Sequence, residues 1–240
     1  MKYIVKTSYV KAQNILDYAK NMAPPSWEKF FNDVENELIH IEKMCSKMRP
    51  YIPDPNKIFE SFDLTDLNSI KVVILAPYPY CDETENTGLA YSLPVGKKAN
   101  STVQNIYKVL KKNYPEFEIP EHGDLRKWCR QGVFLYNLCC TTKINVKDSH
   151  GYIWAGFTNK LLNTITTVNP DCIFLLWGNQ AFSLYNDLSQ RTIKLCASEP
   201  YPENCRYATK YYPAFMDCDH FLKVNQNLEE RGEYPINWAL

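Results

Sequence analysis

Glycine is scarce in this chain, eight residues in 240, and there is no internal repeat or low-complexity tract, which excludes a linker-rich or modular array. Histidine is rarer still, at four widely separated residues, and none of the nine cysteines stands in a C-x-x-C pair. A structural zinc or an iron–sulfur cluster needs ligands at short spacing, so no metal and no other cofactor is expected. Cys45, Cys81, Cys129, Cys139, Cys140, Cys172, Cys196, Cys205 and Cys218 are an odd number, several inside apolar runs, and read as reduced, buried thiols of an intracellular protein. No stretch approaches the about 18 apolar residues of a membrane helix, and the amino terminus has no signal-peptide core. The expected compartment is the cytoplasm, or the nucleus of a eukaryotic host. Net charge is missing too: 27 basic residues balance 27 acidic ones, so a polyanion has to be met by a local patch and not by a global field.

What the chain does have is apolar residues, 45% of the total, enough for one sizeable core in a single domain over 1–240. Residues 1–22 alternate apolar residues with lysines and read as a strand then a helix. Ala23-Pro24-Pro25-Ser26 is a boundary, after which Trp27, Phe30, Phe31, Val34, Leu38 and Ile41 recur at helical spacing to about Met48, with Ser26 as the cap. Continuous apolar runs at 71–76, 132–137 and 171–178 suit strands buried on both faces of a parallel sheet. Helical stretches lie between them near Thr102 to Lys112, Trp154 to Val168 and Gln180 to Leu188, followed by a strand at Thr192 to Cys196 and a helix from about Asp219 to Arg231. That order predicts an α/β fold, a three-layer α/β/α sandwich around a central, mainly parallel four-stranded sheet. Ligands of such folds bind beyond the carboxyl ends of the strands, so the informative loops follow Ala76, Asn137, Gly178 and Cys196.

Those loops carry a resemblance. Val73-Ile74-Leu75-Ala76-Pro77-Tyr78-Pro79-Tyr80-Cys81, with Gly88-Leu89-Ala90-Tyr91-Ser92 after it, resembles Val-Ile-Leu-Gly-Gln-Asp-Pro-Tyr-His and Gly-Leu-Cys-Phe-Ser of the family 1 uracil-DNA glycosylases. Asn105-Ile106-Tyr107-Lys108, His122-Gly123-Asp124-Leu125, Gln131-Gly132-Val133, Leu175-Leu176-Trp177-Gly178 and Pro235-Ile236-Asn237-Trp238 follow the family's segments in order. The matches run collinearly from about Ser26 to the end, which leaves residues 1–24 as an extension packed on the family's domain. The resemblance implies a DNA glycosylase fold, DNA as partner and a monomer.

The departures from the family bear on chemistry. The aspartate that positions water and stabilises the sugar cation is Tyr78 here, and a phenol neutral at pH 7 supplies no anionic field. The second signature, His-Pro-Ser-Pro-Leu-Ser, aligns with Glu199-Pro200-Tyr201-Pro202-Glu203-Asn204, so Glu199 replaces the histidine and Glu203 the leucine wedge. A carboxylate gained in one loop while another is lost suggests two roles for Glu199: the anion beside the sugar cation, or an acid that protonates the leaving base. Asp82, Glu83 and Glu85 are further carboxylate candidates or simply a solvated acidic loop, and Cys81 reads as a small buried thiol. The resemblance assigns Asn137 to reading the flipped base, where rotation of its amide suits either uracil or cytosine. It assigns Tyr91 to stacking on the base, or else to core packing, and Tyr80 to a steric gate that Ala76-Pro77 has altered. His122 reads as a capping residue and Ser149-His150 as a phosphate contact. The segment after Asn204 is about six residues longer than the family pattern and holds Arg206, Tyr207, Lys210, Tyr211 and Tyr212, a basic and aromatic mixture that binds phosphates and stacks on bases, or packs on its own loop.

Two readings follow. One is an enzyme that flips out and excises a pyrimidine other than plain uracil, a modified cytosine above all, with a role in defence against phages carrying such bases. The other is a silent scaffold that kept the fold and lost the chemistry, with a replication component or an inhibitor protein as partner. Asn137 with Tyr91 favours the enzyme, because a scaffold has no need of a base-reading pair.

Overall fold

The computed structural model describes residues 12–240, and the first part of the strand-then-helix segment expected over 1–22 lies outside them. In chain order the elements are α1 (Ile15–Asn21), α2 (Glu28–Asp33), α3 (Glu35–Lys47), β1 (Tyr51–Ile52), α4 (Glu60–Leu64), β2 (Val72–Ala76), α5 (Ser101–Asn113), α6 (Arg126–Cys129), β3 (Val133–Asn137), β4 (Thr142–Lys143), α7 (Gly151–Val168), β5 (Ile173–Trp177), α8 (Asn179–Phe182), β6 (Ile193–Ala197) and α9 (His220–Glu230). Four strands form one parallel sheet in the order β3-β2-β5-β6, and β1 pairs with β4 in a small antiparallel ribbon.

The continuous apolar runs are explained by burial on both faces. Val73, Leu75, Phe134, Tyr136, Phe174 and Leu176 point to one core, built with α1 to α4 and α7. Val72, Ile74, Leu135, Leu175 and Trp177 point to the other, under α5, α6, α9 and the carboxyl-terminal Trp238. The result is the three-layer α/β/α sandwich, with a fully parallel central sheet. On the first face Trp27, Phe30, Phe62 and Phe134 interlock, Trp27 and Phe62 with ring centroids 4.7 Å apart, and the indole N–H of Trp27 donates to Thr65 O at 2.9 Å. Among the described residues no helix is long and apolar enough to cross a membrane. All nine cysteines are free thiols, seven of them buried and Cys81 and Cys196 half-buried.

Two helices differ from the sequence expectation. The single helix from Ser26 is a 3-10 turn at Pro25–Trp27 followed by α2 and α3, interrupted at Val34. Ser26 does not cap it: its hydroxyl accepts from Leu67 N at 3.2 Å, so the oxygen a cap would use is taken. The helix expected to Leu188 ends at Phe182, after which Tyr185 and Asp187 donate to carbonyls three residues back, the spacing of tight turns. His122 does cap its turn, its Nδ1 accepting from Asp124 N at 3.2 Å.

One buried group makes stability depend on pH. Trp177 Nε1 donates to His220 Nδ1 at 2.9 Å, which requires an unprotonated Nδ1, and burial pushes the imidazole from its ordinary 6.5 down to about 4. The unfolded chain therefore binds more protons between these values, and stability is lost as pH falls through that window. A loss of about 3 kcal/mol is expected between pH 6.5 and pH 4. Urea unfolding across this range should show a shallower loss for His220→Asn than for the wild type; equal slopes would assign the acid sensitivity elsewhere, His150 being a second buried imidazole held low in the same direction.

Candidate functional site

Parallel register brings four residues to one end of the sheet. Ala76 lies beside Asn137, and Trp177 beside Ala197, so the loops after β2, β3, β5 and β6 converge there. Ala76 is buried, and its carbonyl accepts from Leu138 N at 2.8 Å, locking the ends of β2 and β3 together.

The side chain of Asn137 is 2% exposed, and its Nδ2 donates to Gly88 O at 3.1 Å. That bond fixes the amide: turned over, two oxygens would face each other. The rotation expected from sequence is therefore not free, and Oδ1 is left as a buried acceptor with no partner among the described residues. Tyr91, 3% exposed and in the same loop as Gly88, has φ of 62°, a left-handed conformation that costs a non-glycine residue about 1 to 2 kcal/mol. Its hydroxyl is likewise buried without a partner. Tyr80 is held by its hydroxyl, which donates to Tyr91 O at 3.2 Å.

Rings complete the cluster. Tyr91 lies 5.5 Å from Trp177 and 6.2 Å from Tyr201, and Tyr201 is stacked parallel to Tyr78 at 6.3 Å. Burial raises the Tyr78, Tyr91 and Tyr201 phenols, with Glu199 adding to each, so all three stay neutral at pH 7. Glu199 is half-buried and lies over Gly178, where a Cβ would fall 2.2 Å from its Cγ; only glycine leaves room for that carboxyl group. Burial holds the carboxyl above its ordinary range against the hydrogen bond it accepts from Asn204, and Glu203 adds to the rise. A half-buried acid beside neutral phenols is equipped to hold and give a proton.

Sequence and structure part at several residues. Tyr78, Glu199, Asn137, Tyr91, Tyr80 and Ala76 are brought together. Asp82 is not: it is exposed and accepts from Thr84 N at 2.7 Å, capping its own turn. The phosphate contact expected of His150 meets a side chain with no exposed surface, its Nδ1 paired with Thr141 Oγ1 at 3.0 Å. The Ser149 hydroxyl accepts from Lys143 N at 2.7 Å and so holds the β4 turn instead. Arg206, Tyr207 and Lys210 are exposed on the inserted loop, Tyr207 at 70%, while Tyr211 stacks on Phe182 at 5.6 Å and Tyr212 donates to Asn179. Tyr201, Asp148 and Lys147 were not singled out by sequence. Asp148 accepts from Gln180 at 2.8 Å and raises the Tyr78 phenol further, and the Lys147 ammonium lies 6.0 Å from the Tyr201 ring. The signal for Tyr201 was present as a tyrosine at the family's serine position.

Fold and site define the class: an α/β protein with a convergent aromatic, amide and carboxyl cluster beyond the carboxyl ends of a parallel sheet. The model of the uracil DNA glycosylase superfamily matches residues 62–229. The chain is 37% identical to the uracil-DNA glycosylase of Dichelobacter nodosus over 78% of its length and 80% of that protein's. It is 34% identical to the uracil-DNA glycosylase of Blochmanniella floridana over 95% of its length and 97% of that protein's. The crystal structure of mimivirus uracil-DNA glycosylase superposes with a TM-score of 0.84 at 29% identity, covering 90% of this chain and 87% of that one. The chain belongs to the uracil-DNA glycosylase superfamily.

Proposed function

We propose that this chain is a monofunctional DNA glycosylase, working as a single domain, that hydrolyses the N-glycosidic bond of a flipped pyrimidine and leaves an abasic site. A base inside the duplex stack is out of reach, so flipping precedes the chemistry. The observation that carries the reading is that Asn137 Oδ1 and Tyr91 Oη, in the loops at the carboxyl end of the sheet, are both buried polar atoms without a protein partner among the described residues. Leaving such groups unpaired is costly, and a ligand edge that donates to Asn137 removes the cost. Both uracil, through N3–H, and cytosine, through its exocyclic amine, offer that donor.

In this reading Glu199 supplies the proton. Water adds to C1′ as the C1′–N1 bond breaks, the electron pair leaves with the base and takes up the carboxyl proton, and the proton lost by the added water passes to the Glu199 carboxylate and restores the acid. Cytosine is the poorer leaving group, so it gains more than uracil from an acid. A modified cytosine fits the replaced aspartate and histidine and the altered Ala76-Pro77 gate, and supports a role against phages with modified DNA. Arg206, Tyr207 and Lys210 on the inserted loop meet the backbone and neighbouring bases.

A second reading, a silent DNA-binding scaffold, is favoured by the closure of the cluster, with Asn137 and Tyr91 both nearly inaccessible. Purified protein incubated with DNAs containing uracil, cytosine, 5-hydroxymethylcytosine, its glucosylated form or thymine separates the two. Abasic sites and free base are expected from a modified-cytosine DNA; no release from any of them, with DNA binding intact, would give the scaffold.

A further inference from the structure

Tyr201 packs against the ring of Tyr91, and we propose that it is the specificity gate of this site, a ring of the protein's own that any base must displace from Tyr91. The inference rests on the glycosylase reading for the identity of the ligand, and on geometry for the gate. The ring of Tyr201 is tilted over Tyr91 at 6.2 Å and parallel to Tyr78 at 6.3 Å, so it bridges the loops that follow β2 and β6. The Tyr91 hydroxyl and the Asn137 acceptor are both buried and unpaired among the described residues, the condition of a site whose own ring covers it without satisfying it. The open groove nearby, about 440 Å³ and lined by Pro77, Leu138, Asp148, Tyr152 and Gln180 among others, does not include Asn137 or Tyr91.

Backbone bonds hold the loop, while among the described residues the Tyr201 side chain is held by ring and cation contacts alone. The Tyr201 carbonyl accepts from Asn204 N and Cys205 N, both at 2.9 Å, and Asn105 Nδ2 donates to Pro200 O at 3.0 Å. Rotation about the side-chain bonds therefore empties the site without unfolding the loop. Across the outer side Lys147 and Glu203 pair at 3.7 Å, and the same ammonium faces the Tyr201 ring. That latch is 61% and 57% exposed and contributes little by itself, but a DNA phosphate competes with Glu203 for Lys147, so arrival of DNA loosens the cover at the moment a base is presented. A base gains entry only when its own stacking and its bond to Asn137 outweigh those of the tyrosine ring, and that difference is selectivity.

Free uracil, cytosine and 5-hydroxymethylcytosine titrated into the protein test the gate apart from catalysis, with Trp177 fluorescence as the signal because its ring lies 5.5 Å from that of Tyr91. Tyr201→Ser, the residue type of the family motif at this position, is expected to bind at least one base tenfold or more tighter than the wild type, and Tyr201→Phe, which keeps the ring, to match the wild type. A folded serine variant that binds no base more tightly would overturn the gate. In the unmutated sequence, 3-fluorotyrosine at position 201 should shift its fluorine resonance when an abasic duplex binds; an unmoved resonance in the saturated complex would overturn the gate as well. Tighter base binding by the serine variant with no base released from any DNA would uphold the gate and remove the glycosylase reading. Release by the wild type without that gain would do the reverse.

Discussion

Glu199→Gln is expected to lower base release at least about 100-fold, the range of a lost general acid, while DNA affinity stays close to that of the wild type. Glutamine keeps the shape of the side chain over Gly178 and an oxygen to accept from Asn204, so the change removes the proton and little else. Single-turnover release of base with DNA binding measured in parallel checks the effect, and unchanged release would take Glu199 out of the chemistry. The pH profile separates its two conceivable roles. An acid works only while protonated, so release should fall as pH rises through the carboxyl's elevated pKa. An anion beside the sugar cation works only while ionised, and release should then rise through the same range. Burial favours the first, because it stabilises the neutral carboxyl.

Much of the frame is legible in the sequence because buried parallel strands leave a dense local record. The runs at 71–76, 132–137 and 171–178 contain β2, β3 and β5 complete, and β6 spans Ile193–Ala197, one residue along from the strand expected at Thr192 to Cys196. The collinear resemblance also placed Asn137 at the end of β3 and Tyr91 in the loop after β2, which is where the structure has them. The rest depends on contacts between distant loops, which local pattern does not encode. That the Asn137 amide is fixed follows from the carbonyl of Gly88, 49 residues away. That Tyr201 covers Tyr91 follows from the way β6 delivers its loop across the end of β2, and that Ser26 fails as a cap follows from a competing backbone donor at Leu67. His150 was expected to meet phosphate because the resemblance implies a DNA contact for Ser149-His150; the structure buries it instead, paired with Thr141.

The dependence of the site on Gly88 leads to the second large effect. Gly88 adopts φ of +83°, and a Cβ there would lie 1.7 Å from Lys57 O and 2.8 Å from the carbonyl carbon, backbone atoms that cannot step aside as a flexible side chain does. In Gly88→Ala the turn has to move. Its carbonyl is the acceptor that orients Asn137, and Tyr91 follows three residues later in its own left-handed conformation, so both proposed base contacts are displaced together. A stability loss of about 2 to 4 kcal/mol is expected, combining backbone strain with the clash. Gly96 provides the comparison: it has φ of +73° with no atom within 4 Å of the added carbon, so Gly96→Ala carries strain alone, about 1 to 2 kcal/mol. Urea unfolding of both variants isolates the steric part as the difference between them. Base release measured at a temperature where both remain folded should be lost in Gly88→Ala and retained in Gly96→Ala. Equal release from the two would mean that the Gly88 carbonyl does not set the Asn137 amide, and that base reading tolerates an amide free to turn.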